Sequence, residues 1–232
     1  MFFFDPTYIL ILPAILFAMW AQARVQNTFH SYSQVRAKSG ITGAEVARDI
    51  LTKSGLNDVR VERIPGNSGL QDHYDPRSRV LRLSQQVYAS SSLAALGVAA
   101  HEAGHAIQHH ENYVPLAIRS SLVPIASFGS RLAFPLFLVG FLFSGTSLSW
   151  LMTAGIWLFI AAVIFSVVTL PVEYDASRRA LILLSQGGYL TQNEVPHAKK
   201  VLNAAGITYL AATTVALTQL LRLLILRGSR RD

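Results

Sequence analysis

The chain has 232 residues, 51% of them apolar and only 14% charged, with a mean hydropathy of +0.36, which predicts a membrane protein carrying one modest polar domain. It contains no cysteine, so disulfides, thiolate zinc sites and cysteine nucleophiles are excluded, and a metal site must use His, Asp, Glu or water. The net charge of +7 is no nucleic-acid signature, because the basic residues flank apolar stretches without an aromatic–basic array; they predict a lipid bilayer as partner and no nucleic acid.

Residues 1–23 read as a first membrane span. No charge occurs between Asp5 and Arg24, and Ile9 to Trp20 is almost wholly apolar, while the start lacks the positive region of a signal peptide. Residues 24–119 read as a small α+β domain of zincin-like layout. Ile41 to Leu56 has the spacing of an amphipathic helix, with Ile41, Ala44, Val46, Ala47, Ile50 and Leu51 as its apolar set. Thr42 and Glu45 form a capping-box pair, and Gly55 is its stop. Two or three short strands are predicted, among them Val59 to Ile64 and Arg79 to Ser84, with Pro65 to Gly69 as a loop and Tyr74 to Ser78 as a turn before the latter. Ser90, Ser91 and Ser92 then offer N-caps for an apolar run from Leu93 that leads into His101-Glu102-Ala103-Gly104-His105.

That pentapeptide is H-E-x-x-H, a pattern expected by chance in roughly one chain of this composition in two hundred. On a helix its two imidazoles share one face and can hold one zinc ion, and Glu102 can reach a water on that ion as general base. Ala100, Ala103, Gly104 and Ala106 are small enough to let a neighbour pack closely.

Residues 120–172 read as a membrane hairpin. Leu132 to Val172 holds 41 residues without a charge, enough for two spans, with Ser144 to Ser149 as the turn and the first span starting near Val123. Residues 173–204 follow as a basic, cytoplasmic segment. Residues 205–232 read as a last span, from about Ala205 to Leu226, and a basic tail. The expected fold is therefore mainly α, with about four transmembrane helices and the small domain that carries the H-E-x-x-H helix.

A catalytic zinc takes three protein ligands as a rule. The candidate third is Glu173, the first charge after the hairpin, which two membrane passes return to the side of His101 and His105; a carboxylate there is costly unless paired or metal-bound. Asp175 is the next candidate ligand, preferred here as an acceptor that orients an imidazole. His197, Tyr174, Tyr209 and Arg178 are candidate oxyanion donors. His109 lies near the face of His105 and reads as a solvated helix end, with an extra ligand as the alternative, and His30 and His73 read as surface or loop residues. The strand Arg79 to Ser84 is the expected edge for a peptide substrate.

The segments Ile41 to Arg48, Asp72 to Arg77, Val98 to Gln108 and Leu170 to Ala180 together resemble the YugP-like putative neutral zinc metallopeptidases of bacterial membranes, over nearly the whole chain. The resemblance implies a multi-pass membrane zinc peptidase with ligands at His101, His105 and Glu173 and Glu102 as the acid/base. The layout is also similar to that of the HtpX and CAAX-prenyl endopeptidase families, which place an Asp four residues after their ligand Glu. This chain has Ser177 there and Asp175 at two, the mark of a related but separate family.

The function expected is Zn²⁺-dependent hydrolysis of peptide bonds in membrane or unfolded proteins. The alternatives are a site-2-type intramembrane protease and a zinc-holding scaffold without turnover. The polar residues around the motif favour an interfacial helix over the first alternative, and Glu102 speaks against the second. Eleven Lys and Arg between Arg24 and Arg119, and four between Tyr174 and Ala204, place the catalytic domain on the cytoplasmic side of the cell membrane.

Overall fold

Thr42 opens the first helix of the polar domain for a local reason. Its hydroxyl accepts from the Glu45 backbone N–H while the Glu45 carboxylate accepts from the Thr42 backbone N–H, so two otherwise unpaired donors are satisfied. In the computed structural model, which describes residues 6–65 and 71–229, this helix runs Gly43–Lys53 and buries Ala44, Val46, Ala47, Ile50 and Leu51. Gly55, at φ +75°, takes the left-handed turn that ends it. In chain order the main elements are α1 (Leu12–Ser33), α2 (Gly43–Lys53), β1 (Arg60–Arg63), β2 (His73–Asp75), β3 (Val80–Leu83), α3 (Gln85–Tyr88), α4 (Leu93–His110), α5 (Val114–Leu142), α6 (Trp150–Gln186) and α7 (Val195–Gly228). The loop expected at Pro65 to Gly69 lies, from Gly66 on, outside the described residues.

The chain forms two compact units. One comprises Ala23–Leu116 and Val172–Ile207. Its core gathers Val46, Ile50 and Leu51 of α2, Leu81 and Leu83 of β3, Leu93 and Leu96 of α4, and Ala180 and Leu184 of α6. The sheet has the order β1-β3-β2, with β1 parallel and β2 antiparallel to β3. This corrects the expectation that Arg79 to Ser84 offers a free edge. β3 is the central strand, and its second neighbour is only three residues long. His73–Asp75 hides inside a turn signal, and the turn itself begins at Pro76, where Asp75 accepts from the Arg77 N–H and the Ser78 hydroxyl.

The other unit takes in the chain up to Gln22, Ala117–Pro171 and the chain from Thr208 on. Phe137, Met152, Ile156 and Leu223 form its buried cluster. α5 and α6 approach closely in it, because a Cβ on Gly155 would stand 2.5 Å from the Ala133 carbonyl oxygen. Among the described residues three helices are long and apolar enough to cross a membrane, within Val114–Leu142, Ser147–Gln186 and Val195–Gly228. About four were expected. α1 falls short because its apolar run ends at Ala21 and Gln22, Arg24, Gln26, Asn27 and His30 follow, while residues 1–5 lie outside the described set. α5 begins at Val114 rather than near Val123, with Pro115 in the first turn, where a missing N–H costs nothing. α7 begins at Val195 rather than Ala205, because Ala198, Val201 and Leu202 make one buried face of an otherwise polar stretch.

Candidate metal centre

α4 starts at Ser92, whose hydroxyl accepts from the Ala95 N–H. Two and a half turns on, it presents His101 and His105 one turn apart on one face, with ring centroids 4.7 Å from each other and planes at 81°. α6 passes against this face because position 104 is glycine. A Cβ there would stand 2.9 Å from the Ala176 carbonyl oxygen, tighter than side chains tolerate. The close approach brings in Glu173, whose Oε2 lies 3.2 Å from His101 Nε2 and 3.5 Å from His105 Nε2. The side chain of Glu173 is 3% exposed, and those of His101 and His105 are 13% and 12% exposed.

One ligand atom from each of these three residues lies within 4.8 Å of the others, a group that could hold a metal ion. The spacing suits zinc. Ligand atoms around a tetrahedral ion at 2.0–2.2 Å are roughly 3.3 Å apart, close to both separations from the carboxylate oxygen. The donor set of two imidazoles and one carboxylate is also of the kind that leaves a fourth position for water.

The far side of each ring is engaged too. His105 Nδ1 lies 3.0 Å from Gln108 Oε1. The Gln108 amide nitrogen donates to the Val172 carbonyl and to Asp175 Oδ2, both at 2.9 Å, so its two protons are committed. Its oxygen can then only accept, so His105 Nδ1 carries a proton, which in the neutral ring frees Nε2 to ligate a metal ion beside Glu173. Asp175 is held in turn by Arg179 at 2.5 Å, and Arg179 also reaches Glu111 at 2.7 Å. Asp175 therefore acts on an imidazole through Gln108 and not by touching a ring itself. His101 Nδ1 instead meets Ser177 Oγ at 3.1 Å. From the sequence Gln108 was not singled out, and Ser177 only as the residue that stands where similar families have Asp. Their signal is spacing, three residues after His105 and four after Glu173, each one turn further along its helix.

Glu102 is 8% exposed, and its Oε2 accepts from the Tyr74 backbone N–H of β2 at 3.1 Å. Burial pushes its carboxyl pKa above the ordinary range, a shift that the charges of His101 and His105 only partly oppose. For His105 burial works against the charged ring, but the Glu173 carboxylate and the Glu102 charge outweigh it and leave the pKa raised. Tyr74 is a further residue whose place at the site the sequence did not reveal, since it looked like part of a turn. Its phenol lies 3.0 Å from His109 Nδ1, which places His109 outside the His101–His105–Glu173 group. The remaining candidates have other contacts. The His197 ring packs on Tyr32, Arg178 pairs with Asp175 with its side chain 72% exposed, and Tyr174 is exposed, its ring beside Gly206. Tyr209 offers its carbonyl to the Thr213 hydroxyl. His73 is exposed in β2, and His30 is exposed on α1.

A family model described as putative neutral zinc metallopeptidase matches residues 7–228. The putative membrane protease YugP of Bacillus subtilis (strain 168) is 46% identical over 223 residues, which cover 96% of this chain and 97% of the relative. No solved structure matches.

Proposed function

The chain belongs to the putative neutral zinc metallopeptidase family, and from that membership and the geometry of its site we propose that it is a multi-pass membrane zinc endopeptidase acting on membrane or unfolded proteins. The observation that carries the reading is the meeting of His101 and His105 with Glu173, 72 and 68 residues away, at separations that suit a tetrahedral ion. His101, His105 and Glu173 hold the zinc, with Ser177 and Gln108 orienting the two rings. Bound there, zinc supplies a Lewis acid for the scissile carbonyl and for water. Glu102 takes a proton from the attacking water and delivers it to the departing amine. Its burial suits that task, because a raised pKa brings a carboxyl nearer to the range in which it can both accept and return a proton.

The substrate strand adds to β2. In the ladder Tyr74 pairs with Leu81, yet its N–H reaches out to Glu102, so the outer edge of β2 runs alongside the general base. A site-2-type mechanism is disfavoured because α4, which bears the motif, is not among the helices apolar enough to span. The excess of Lys and Arg in 24–119 and 173–204 supports a cytoplasmic catalytic unit.

The test is metal analysis of the detergent-purified chain together with casein digestion. About one zinc per chain, activity abolished by a chelator and restored by zinc, is the expected result. Stoichiometric zinc with no hydrolysis of casein or unfolded membrane proteins would replace the peptidase with a scaffold.

A further inference from the structure

α1 and α7 carry facing stripes that differ from ordinary helix packing. Arg24, Asn27, Thr28 and Ser31 follow the spacing i, i+3, i+4, i+7 on α1 and line a cleft of about 410 Å³ whose other wall includes Lys200 and Asn203 of α7. Facing stripes of two neighbouring helices are apolar as a rule, because that is the surface they remove from water. Here the stripe is polar and basic. Arg24 and Lys200 are the charges among the described residues of the lining. The Ser31 hydroxyl bonds its own helix, at the Asn27 carbonyl, so its hydrogen bond does not close the cleft.

The place of the cleft along both helices is informative. α1 is apolar from Leu12 to Ala21 and turns polar at Gln22 and Arg24. α7 carries His197, Lys199, Lys200 and Asn203 in its first turns and then no charge from Ala204 to Leu221. Arg24 and Ile207 thus mark its apolar end, and the packing of Tyr32 on His197, with ring centroids 5.4 Å apart, marks its polar end. Such a changeover is where a helix passes from hydrocarbon to headgroups, and basic pockets between helices at that depth suit anionic headgroups.

We propose that this cleft binds the phosphate of an anionic phospholipid, with Arg24 and Lys200 as counter-charges and the amides of Asn27 and Asn203 as donors. The proposal rests on the membrane reading above. Its chemistry is that of a phosphate ester, which free phosphate shares, and the test separates the two sources.

The full-length protein in a neutral detergent is heated with phosphatidylglycerol, with phosphatidylcholine or with inorganic phosphate, and native mass spectrometry counts the bound lipid. Phosphatidylglycerol is expected to raise the Tm by several degrees and to be retained, with no comparable effect of phosphatidylcholine. R24Q/K200Q should lose most of that shift, while R24K/K200R keeps it and the charge-matched control R60Q/K199Q behaves as wild type. If R24Q/K200Q does not fold, K200Q alone must weaken retention of phosphatidylglycerol at least severalfold. Equal shifts from the two lipids, or a full shift in R24Q/K200Q, overturn the proposal, and an equal shift from inorganic phosphate overturns its lipid source. Carbonate washing of membranes is read separately. Release of the chain into a detergent-free soluble fraction would sink the membrane reading, whatever the cleft binds.

Discussion

α4 and α6 meet at the same three side chains but supply different things. α4 brings two rings and the buried carboxyl of Glu102 within five consecutive residues, so its share is local and follows from helical periodicity. α6 brings one acidic ligand candidate and most of the groups that fix the rings: the Val172 carbonyl, Asp175, Ser177 and, behind Asp175, Arg179. On the proposed reading the pentapeptide supplies the reacting groups, whereas the distant helix fixes how they are placed. The two rings are also fixed unequally. Gln108 has both amide protons committed and holds His105 in one tautomer, while the Ser177 hydroxyl beside His101 can donate or accept.

The sharpest way to break this division is to change each helix where it matters most. Glu102→Gln on α4 should leave zinc content unchanged and lower casein hydrolysis by roughly 10²–10⁴-fold, the range of a general acid–base group. Glu173→Ala on α6 should instead empty the site, read as zinc per chain after dialysis, with activity lost as a consequence. Asp175→Ala should keep its zinc in the same assay. A Glu173→Ala protein that retains full zinc would remove α6 from the ligand set.

The next effect concerns the rings. Gln108→Leu leaves His105 Nδ1 and Asp175 without their shared partner, and a lost outer partner costs about 10–100-fold in metal affinity. Ser177→Ala should cost less, since His101 loses a contact that never imposed a tautomer. Competition against a chromogenic chelator measures both variants. Equal losses would mean that α6 supports the two rings alike.

How much of this was legible before the fold follows the same division. The capping box at Thr42 and Glu45, the stop at Gly55, the start of α4 at Ser92 and the pairing of His101 with His105 all depend on residues within one or two turns. Glu173 could be nominated because a charge after 41 uncharged residues needs a partner. Gln108 escaped, and Ser177 was noted only as a departure from Asp, since an uncharged side chain announces nothing until a ring is placed beside it. β2 escaped as well. Three residues are too few for a period-2 pattern, and Tyr74-Asp75-Pro76 carries turn chemistry that masked the strand. The lengths of α5 and α7 were underestimated because a count of apolar residues sees the part suited to a membrane and not its polar continuation.

The smallest effect tests the approach of the two helices. Gly104→Ala keeps every polar group of the site and raises helix propensity, by which measure it should stabilise α4 by about 1 kcal/mol. The added methyl would stand 2.9 Å from the Ala176 carbonyl oxygen, and 3.4 Å from its Cα, so backbone has to yield rather than a flexible side chain. Overpacking of that kind costs about 1–3 kcal/mol, which exceeds the propensity gain. The expected outcome is a lower Tm and a weaker zinc affinity together, because the shift that relieves the clash moves Glu173, three residues before Ala176, away from both rings. A variant as stable as wild type with unchanged zinc affinity would mean that α6 can give way without loosening the site, and that its share in the geometry is smaller than its contacts imply.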